Sequence, residues 1–249
     1  MHWNIYSSST EFAVTLLAVF VVGLSKGGLG GMSLLGVPLM ALVMPPVTAA
    51  AILLPVLVIM DIISVATWRR WADWQILRRI LPFSVIGIGI GWATAELVSD
   101  SMVRLIVGLV SLAFVARAIF GAAGGGAPTA AARFWGGLAG YTSFVAHAGG
   151  PPLQIYMMPL RLDPKIFTGT TVMFFAITNA LKLVPYAALG EFSSENLARS
   201  TVMLPLAVGA TWLGSWTVRR MHPRVFYPFT YASVALVGIK LVWDGVAGL

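Results

Sequence analysis

Two short stretches set polar and charged groups inside apolar sequence. "GLSKGGLGGMSLLGVP", Gly23 to Pro38, holds Lys26 among six glycines, and "FVAHAGGPPLQIY" holds His147, Gly149, Gly150 and Gln154. Glycine supplies conformational freedom and unshielded amides, and a short helix following each break would aim free N–H groups and a positive dipole end at it. Add the ammonium of Lys26 and an imidazole whose charge changes near neutral pH, and the local chemistry favours a small anion. The candidate ligands are Lys26, Gly27, Gly28, Gly30, Gly31, His147, Gly149, Gly150 and Gln154, with Thr170, Thr171 and Thr178 as further neutral groups. Close packing of small residues, with Lys26 snorkelling to the surface, is the plainer reading of the same stretch. A membrane histidine satisfied by a backbone carbonyl is the plainer reading of His147.

A second set lies deeper. Asp61 stands eight residues before Arg69 on an apolar helix, and Asn179 and Lys182 occupy a corresponding later helix. Ionisable groups at such depth are costly and mark a pathway, a proton site or an internal ion pair. Asp61 is thus expected either to pair with Lys26 or Lys182 or to couple protons. Trp68, Trp71, Trp74, Trp135, Trp212 and Trp216 read as interfacial belt residues.

These groups need a scaffold, and the composition names it. Of the 249 residues 58% are hydrophobic and 10% charged, with mean hydropathy +0.88, against about 25% charged in soluble domains. Apolar runs recur along the whole length, so one integral membrane domain spanning 1–249 is expected. "MHWNIYSSSTE" has no Lys or Arg, so the first apolar segment is expected to stay in the mature protein. With no cysteine, disulfides, thiolate metal sites and thiol catalysis are excluded. There is no Walker A motif, H-E-x-x-H or nucleophile elbow, and His2, His147 and His222 are too scattered for a metal site, so no cofactor or metal is called for.

Apolar helices are predicted at about 12–24, 32–43, 46–68, 77–95, 101–120, 134–146, 150–160, 165–189, 198–218 and 225–245. The pieces 12–24, 32–43, 134–146 and 150–160 are too short for a full crossing and read as two re-entrant hairpins. Eleven of the sixteen basic residues fall in alternate loops, at Arg69, Arg70, Arg78, Arg79, Arg117, Arg133, Arg161, Lys165, Arg219, Arg220 and Arg224. The positive-inside rule puts those loops in the cytoplasm and both termini outside. That asymmetry accounts for the net charge of +7 without invoking nucleic acid.

The chain also reads as duplicated. A shift of 117 or 118 residues sets Gly23 on Gly140, Ser25 on Thr142, Pro46 on Pro164 and Asp61 on Asn179. After a five-residue insertion "PFSVIGIGIGWAT" meets "PLAVGATWLGSWT". The expected fold is an all-α polytopic membrane protein of two inverted-topology repeats, about 11–120 and 130–247. Each repeat is a short re-entrant helical hairpin plus three transmembrane helices, the architecture of many secondary transporters. Gly87, Gly89 and Gly91 make a small-residue face that packs within the chain or against a second copy in a homodimer. Two other classes stay open: a membrane-embedded lipid-phosphate enzyme, and a cation carrier centred on Asp61.

"GLSKGGLGGMSLLGVPLMAL" and "TSFVAHAGGPPLQIYMMPL", with the paired "PFSVIGIGIGWA" and "PLAVGATWLGSW", resemble the sulfite exporter TauE/SafE family of bacterial membrane proteins. The resemblance covers essentially the whole chain. It implies ATP-independent export or permeation of sulfite, sulfoacetate or a related sulfur-containing anion across the inner membrane. In the second half "GGPP" follows the glycines, and no proline stands where Pro38 does in the first.

Overall fold

A computed structural model describes residues 6–29, 36–40, 42–44, 46–94, 99–119, 129–145, 148–188 and 193–248. Among them there is no strand. The helices are α1 Ser9–Lys26, α2 Gly36–Met40, α3 Pro46–Trp68, α4 Trp74–Thr94, α5 Asp100–Ile119, α6 Thr129–Val145, α7 Gly150–Met157, α8 Pro164–Ala188, α9 Ser194–Arg220 and α10 Pro223–Ala247. Single 3-10 turns extend α3 over Arg69–Trp71 and α7 over Met158–Leu160.

Among the described residues six segments are long and apolar enough to cross a membrane: Ser9–Lys26, Ile52–Trp71, Trp74–Thr94, Pro164–Val184, Ser194–Arg220 and Pro223–Ala247. In α5 the apolar part is shorter, Ser101–Ala116. Ile86, Ile90, Trp92, Leu236, Ile239 and Trp243 stand more than half exposed on the outer faces of α4 and α10, which suits a lipid surround. The chain is a polytopic membrane protein.

The first arms of the two hairpins are longer than the hydropathy predicts. α1 has 18 residues and α6 has 17, about 27 and 26 Å at the helical rise, so α1 is not short of a crossing. Polar capping residues extend it beyond its apolar stretch. The Ser8 hydroxyl accepts from the Glu11 amide at 3.1 Å and the Glu11 carboxylate accepts from the Ser7 amide at 2.8 Å, the reciprocal pattern that starts helices. At the far end Lys26 complements the dipole of the last turn.

Contacts between starts and ends give each helix its direction. Arg199, near the start of α9, meets Glu11 and Tyr6 near the start of α1, and Ser200 donates to the Ile52 carbonyl early in α3. At the opposite end Lys165 lies 5.1 Å over the Trp71 ring, the Asp73 amide donates to Thr170, and Arg161 lies over Tyr227. The starts of α4, α8 and α10 therefore gather at the basic end, with the start of α6 joined to them through Gly136 against Ile80. Gly248 beside Ser101 sets the start of α5 at the end where α10 finishes. Hence α1, α3, α5 and α9 run one way and α4, α6, α8 and α10 the other.

Helix pairing is reciprocal: α9 packs along α1 and α4 along α6, while α3 meets α8 and α5 meets α10. Small residues allow this closeness, since lipid supplies no hydrophobic drive for helix association. A Cβ on Gly87 would strike the Gly137 carbonyl, one on Gly140 the Ser84 carbonyl, and one on Gly27 the Ser215 amide at 2.6 Å. Of the predicted small-residue face, Gly87 and Gly91 are used inside the chain against α6, whereas Gly89 meets nothing within 4 Å.

Candidate functional site

The end of α1 is buried between α3, α8 and α9, so its last carbonyls, which lack helical partners, need donors from elsewhere. The Ser64 hydroxyl donates to the Lys26 carbonyl at 2.9 Å. Trp68 Nε1 at 3.0 Å and the Ser215 hydroxyl at 3.1 Å both donate to the Gly27 carbonyl. The amides of Gly27 and Gly28 are not bare, contrary to expectation: they donate to the Gly23 and Ser25 carbonyls and close the helix. Gly28 has φ +129°, a backbone conformation that a side chain would strain. Trp68, predicted as a belt residue, is fully buried, because its indole N–H is the donor that the helix end requires.

One turn of α3 away lies the charged cluster. Lys26 Nζ stands 2.6 Å from Asp61 Oδ1, with side-chain exposures of 11% and 8%. The other carboxylate oxygen, Oδ2, accepts from Asn179 Nδ2 at 2.7 Å. Lys26 also lies 5.8 Å over the Phe175 ring, a further stabilisation of its charge. Of the two expected pairings the structure forms Asp61 with Lys26, and both carboxylate oxygens are engaged. A cation carrier centred on Asp61 would have to break these bonds.

Lys182, one turn beyond Asn179 on α8, is 3% exposed and has neutral partners only among the described residues. Its ammonium donates to the Ser143 carbonyl at 3.2 Å and to the Ser143 hydroxyl at 3.0 Å. Ser143 sits in the last turn of α6, and a Cβ on Gly149 would come within 2.6 Å of its Cβ. Thr142 ties the break together, donating to the Ala148 carbonyl and accepting at its own carbonyl from the Ala148 amide. Gly149 caps α7, where Pro151 and Pro152 remove two of the usual free donors, and Gly150 faces open space.

The other predicted ligands divide. Gln154 is buried with its Oε1 unpartnered. Thr170 joins the Asp73 amide to the Ile166 carbonyl, Thr171 donates to the Met157 sulfur, and Thr178 bonds its own helix. Gly30, Gly31 and His147 lie outside the described residues. A cavity of about 450 Å³ between α3 and α8 has Asp61, Asn179 and Arg69 in a lining that is otherwise apolar, including Val65 and Leu183.

Sequence reasoning missed Ser64 and Ser143, although its own register contains them. The 117 shift sets Lys26 on Ser143 and the 118 shift sets Ser64 on Lys182. Each pair meets in the same way: the carbonyl ending the first hairpin helix accepts from the side chain on the following long helix. Each half thus contributes one lysine, but from opposite partners of the contact. Asp61 and Asn179, counterparts under the same shift, bond to each other.

No curated protein and no solved structure matches the chain. The sequence model of the family described as Sulfite exporter TauE/SafE matches residues 15–241. That stretch contains both glycine breaks, the Lys26–Asp61–Asn179 cluster and Lys182, and on a match of this extent the chain belongs to the sulfite exporter TauE/SafE family.

Proposed function

We propose that this protein is a secondary transporter that moves a small sulfur-containing anion, such as sulfite or an organosulfonate like sulfoacetate, across the bacterial inner membrane. The observation that carries the reading is a buried cluster of two lysines and one aspartate, set where both hairpin arms end, in a chain of this family. Such interior charge is costly unless a ligand or pathway uses it. Binding draws on Gly149, Gly150 and Gln154, with Gly30, Gly31 and His147 in the adjoining segments, while Gly27 and Gly28 close the helix that carries Lys26 to the cluster. Asp61, Asn179 and Lys182 hold or couple the charge.

Two inverted repeats, 11–120 and 130–247, form one transport domain with both termini on the periplasmic side. The opposed directions of α1 and α6, and of α3 and α8, support this arrangement, as does the gathering of basic loops at one end. Access alternates as one half rocks against the other around the fixed site. Proteoliposomes loaded with sulfite test the proposal. Saturable, protein-dependent efflux of sulfite is the expected result, and efflux equal to that of empty liposomes for every sulfur anion tried would overturn it.

A further inference from the structure

We propose that Lys182, rather than Lys26, supplies the counter-charge for the bound anion, and that the site is built for a single negative charge. This rests on the transport reading above. Lys26 is already neutralised: Asp61 Oδ1 lies 2.6 Å from its ammonium and Asn179 holds the other oxygen in place. Asp61 therefore acts as a built-in anion, committed to the first lysine.

Among the described residues Lys182 has no such partner. Among the described residues the charged groups near it are Lys26 and Asp61, and its ammonium bonds only the carbonyl and hydroxyl of Ser143. Two N–H donations to one residue leave a third donor for a ligand. With Lys182 protonated, Lys26, Asp61 and Lys182 together carry one positive charge that no carboxylate of the cluster balances, and Lys182 itself is buried. Taking a charge out of water without a partner is costly, and an anion removes that cost. One monoanion balances the cluster; a dianion leaves it negative. Ser143, which holds Lys182, also packs against Gly149 just ahead of α7.

The test uses the full-length protein in detergent, with sulfite, methanesulfonate as a permanent monoanion and ethanedisulfonate as a permanent dianion, read by calorimetry and thermal shift. The unaltered protein should bind sulfite and methanesulfonate and prefer the latter to the disulfonate. Lys182→Met should weaken binding about thirtyfold or more, and Lys182→Arg should recover part of it. The Lys26→Met/Asp61→Asn double variant should lose less than Lys182→Met, and Asp61→Asn alone, which frees a second cation, should shift preference toward the disulfonate. An equal or larger loss in the double variant than in Lys182→Met would overturn the assignment. Should Lys182→Met fail to fold, Ser143→Ala and Ser64→Ala decide, since the assignment requires the greater loss at Ser143. If the unaltered protein neither binds nor moves any of the three anions, the transport reading itself falls. If it does so while Lys182→Met matches it, only this assignment falls.

Discussion

Replacing Lys26 by Met would leave the Asp61 carboxylate buried with a single neutral donor, Asn179. At the observed 2.6 Å, opposite unit charges in an effective dielectric near 20 attract by about 6 kcal/mol before desolvation is subtracted. Desolvation cancels much of that gain, so the pair as a whole contributes little net stability, whereas a lone buried charge costs about 3–5 kcal/mol. Lys26→Met and Asp61→Asn are each expected to destabilise by about 3 kcal/mol, and the double variant by less than either. The coupling should then exceed about 3 kcal/mol. For a chain of 249 residues, each single change then lowers the melting temperature by about 6–12 °C. Thermal unfolding of the four proteins in one detergent measures the cycle. A double variant as unstable as the sum of the singles would show that the two side chains do not act as a pair, and would refute the reasoning.

Other predictions follow from the packing. Gly87→Val and Gly140→Val drive a side chain into facing main chain between α4 and α6 and should cost about 3 kcal/mol or more; Gly89→Val, which meets nothing, should stay within about 1 kcal/mol in the same melting assay. Trp68→Phe removes one of two donors to the Gly27 carbonyl while Ser215 remains, for an expected loss of about 1 kcal/mol in thermal unfolding. Glu11→Gln deprives Arg199, 12% exposed, of its buried partner and leaves it the exposed Glu195. It should cost about 2 kcal/mol and raise protease cleavage of residues 1–8.

Much of the helical framework was legible because it follows from local quantities. The length of an apolar run is set by bilayer thickness, so α3, α4, α8, α9 and α10 emerge close to their predicted bounds. Hydropathy misjudged α1, which continues through Ser9, Glu11 and Lys26, and α6, which already begins in the Thr129–Arg133 stretch of small and polar residues. Trp68 was misread for a related reason. An indole near a basic loop resembles a belt residue, and only the orphan carbonyl at Gly27 shows why this one is buried.

By itself the sequence determined that the chain spans a membrane, that its basic loops alternate, that two glycine-rich breaks recur in one order, and that Asp61, Asn179 and Lys182 fall inside long apolar segments. These are properties of single residues transferred into lipid, and they need no partner to be computed. The tertiary structure decided the partners. Asp61 reaches Lys26 across 35 positions and Asn179 across 118, and Lys182 goes to Ser143 rather than to the carboxylate. Which lysine is neutralised depends on where α3 crosses α8 and on how closely glycines let α1 approach α9. Those distances arise from the packing of helices remote in sequence, and no local pattern encodes them.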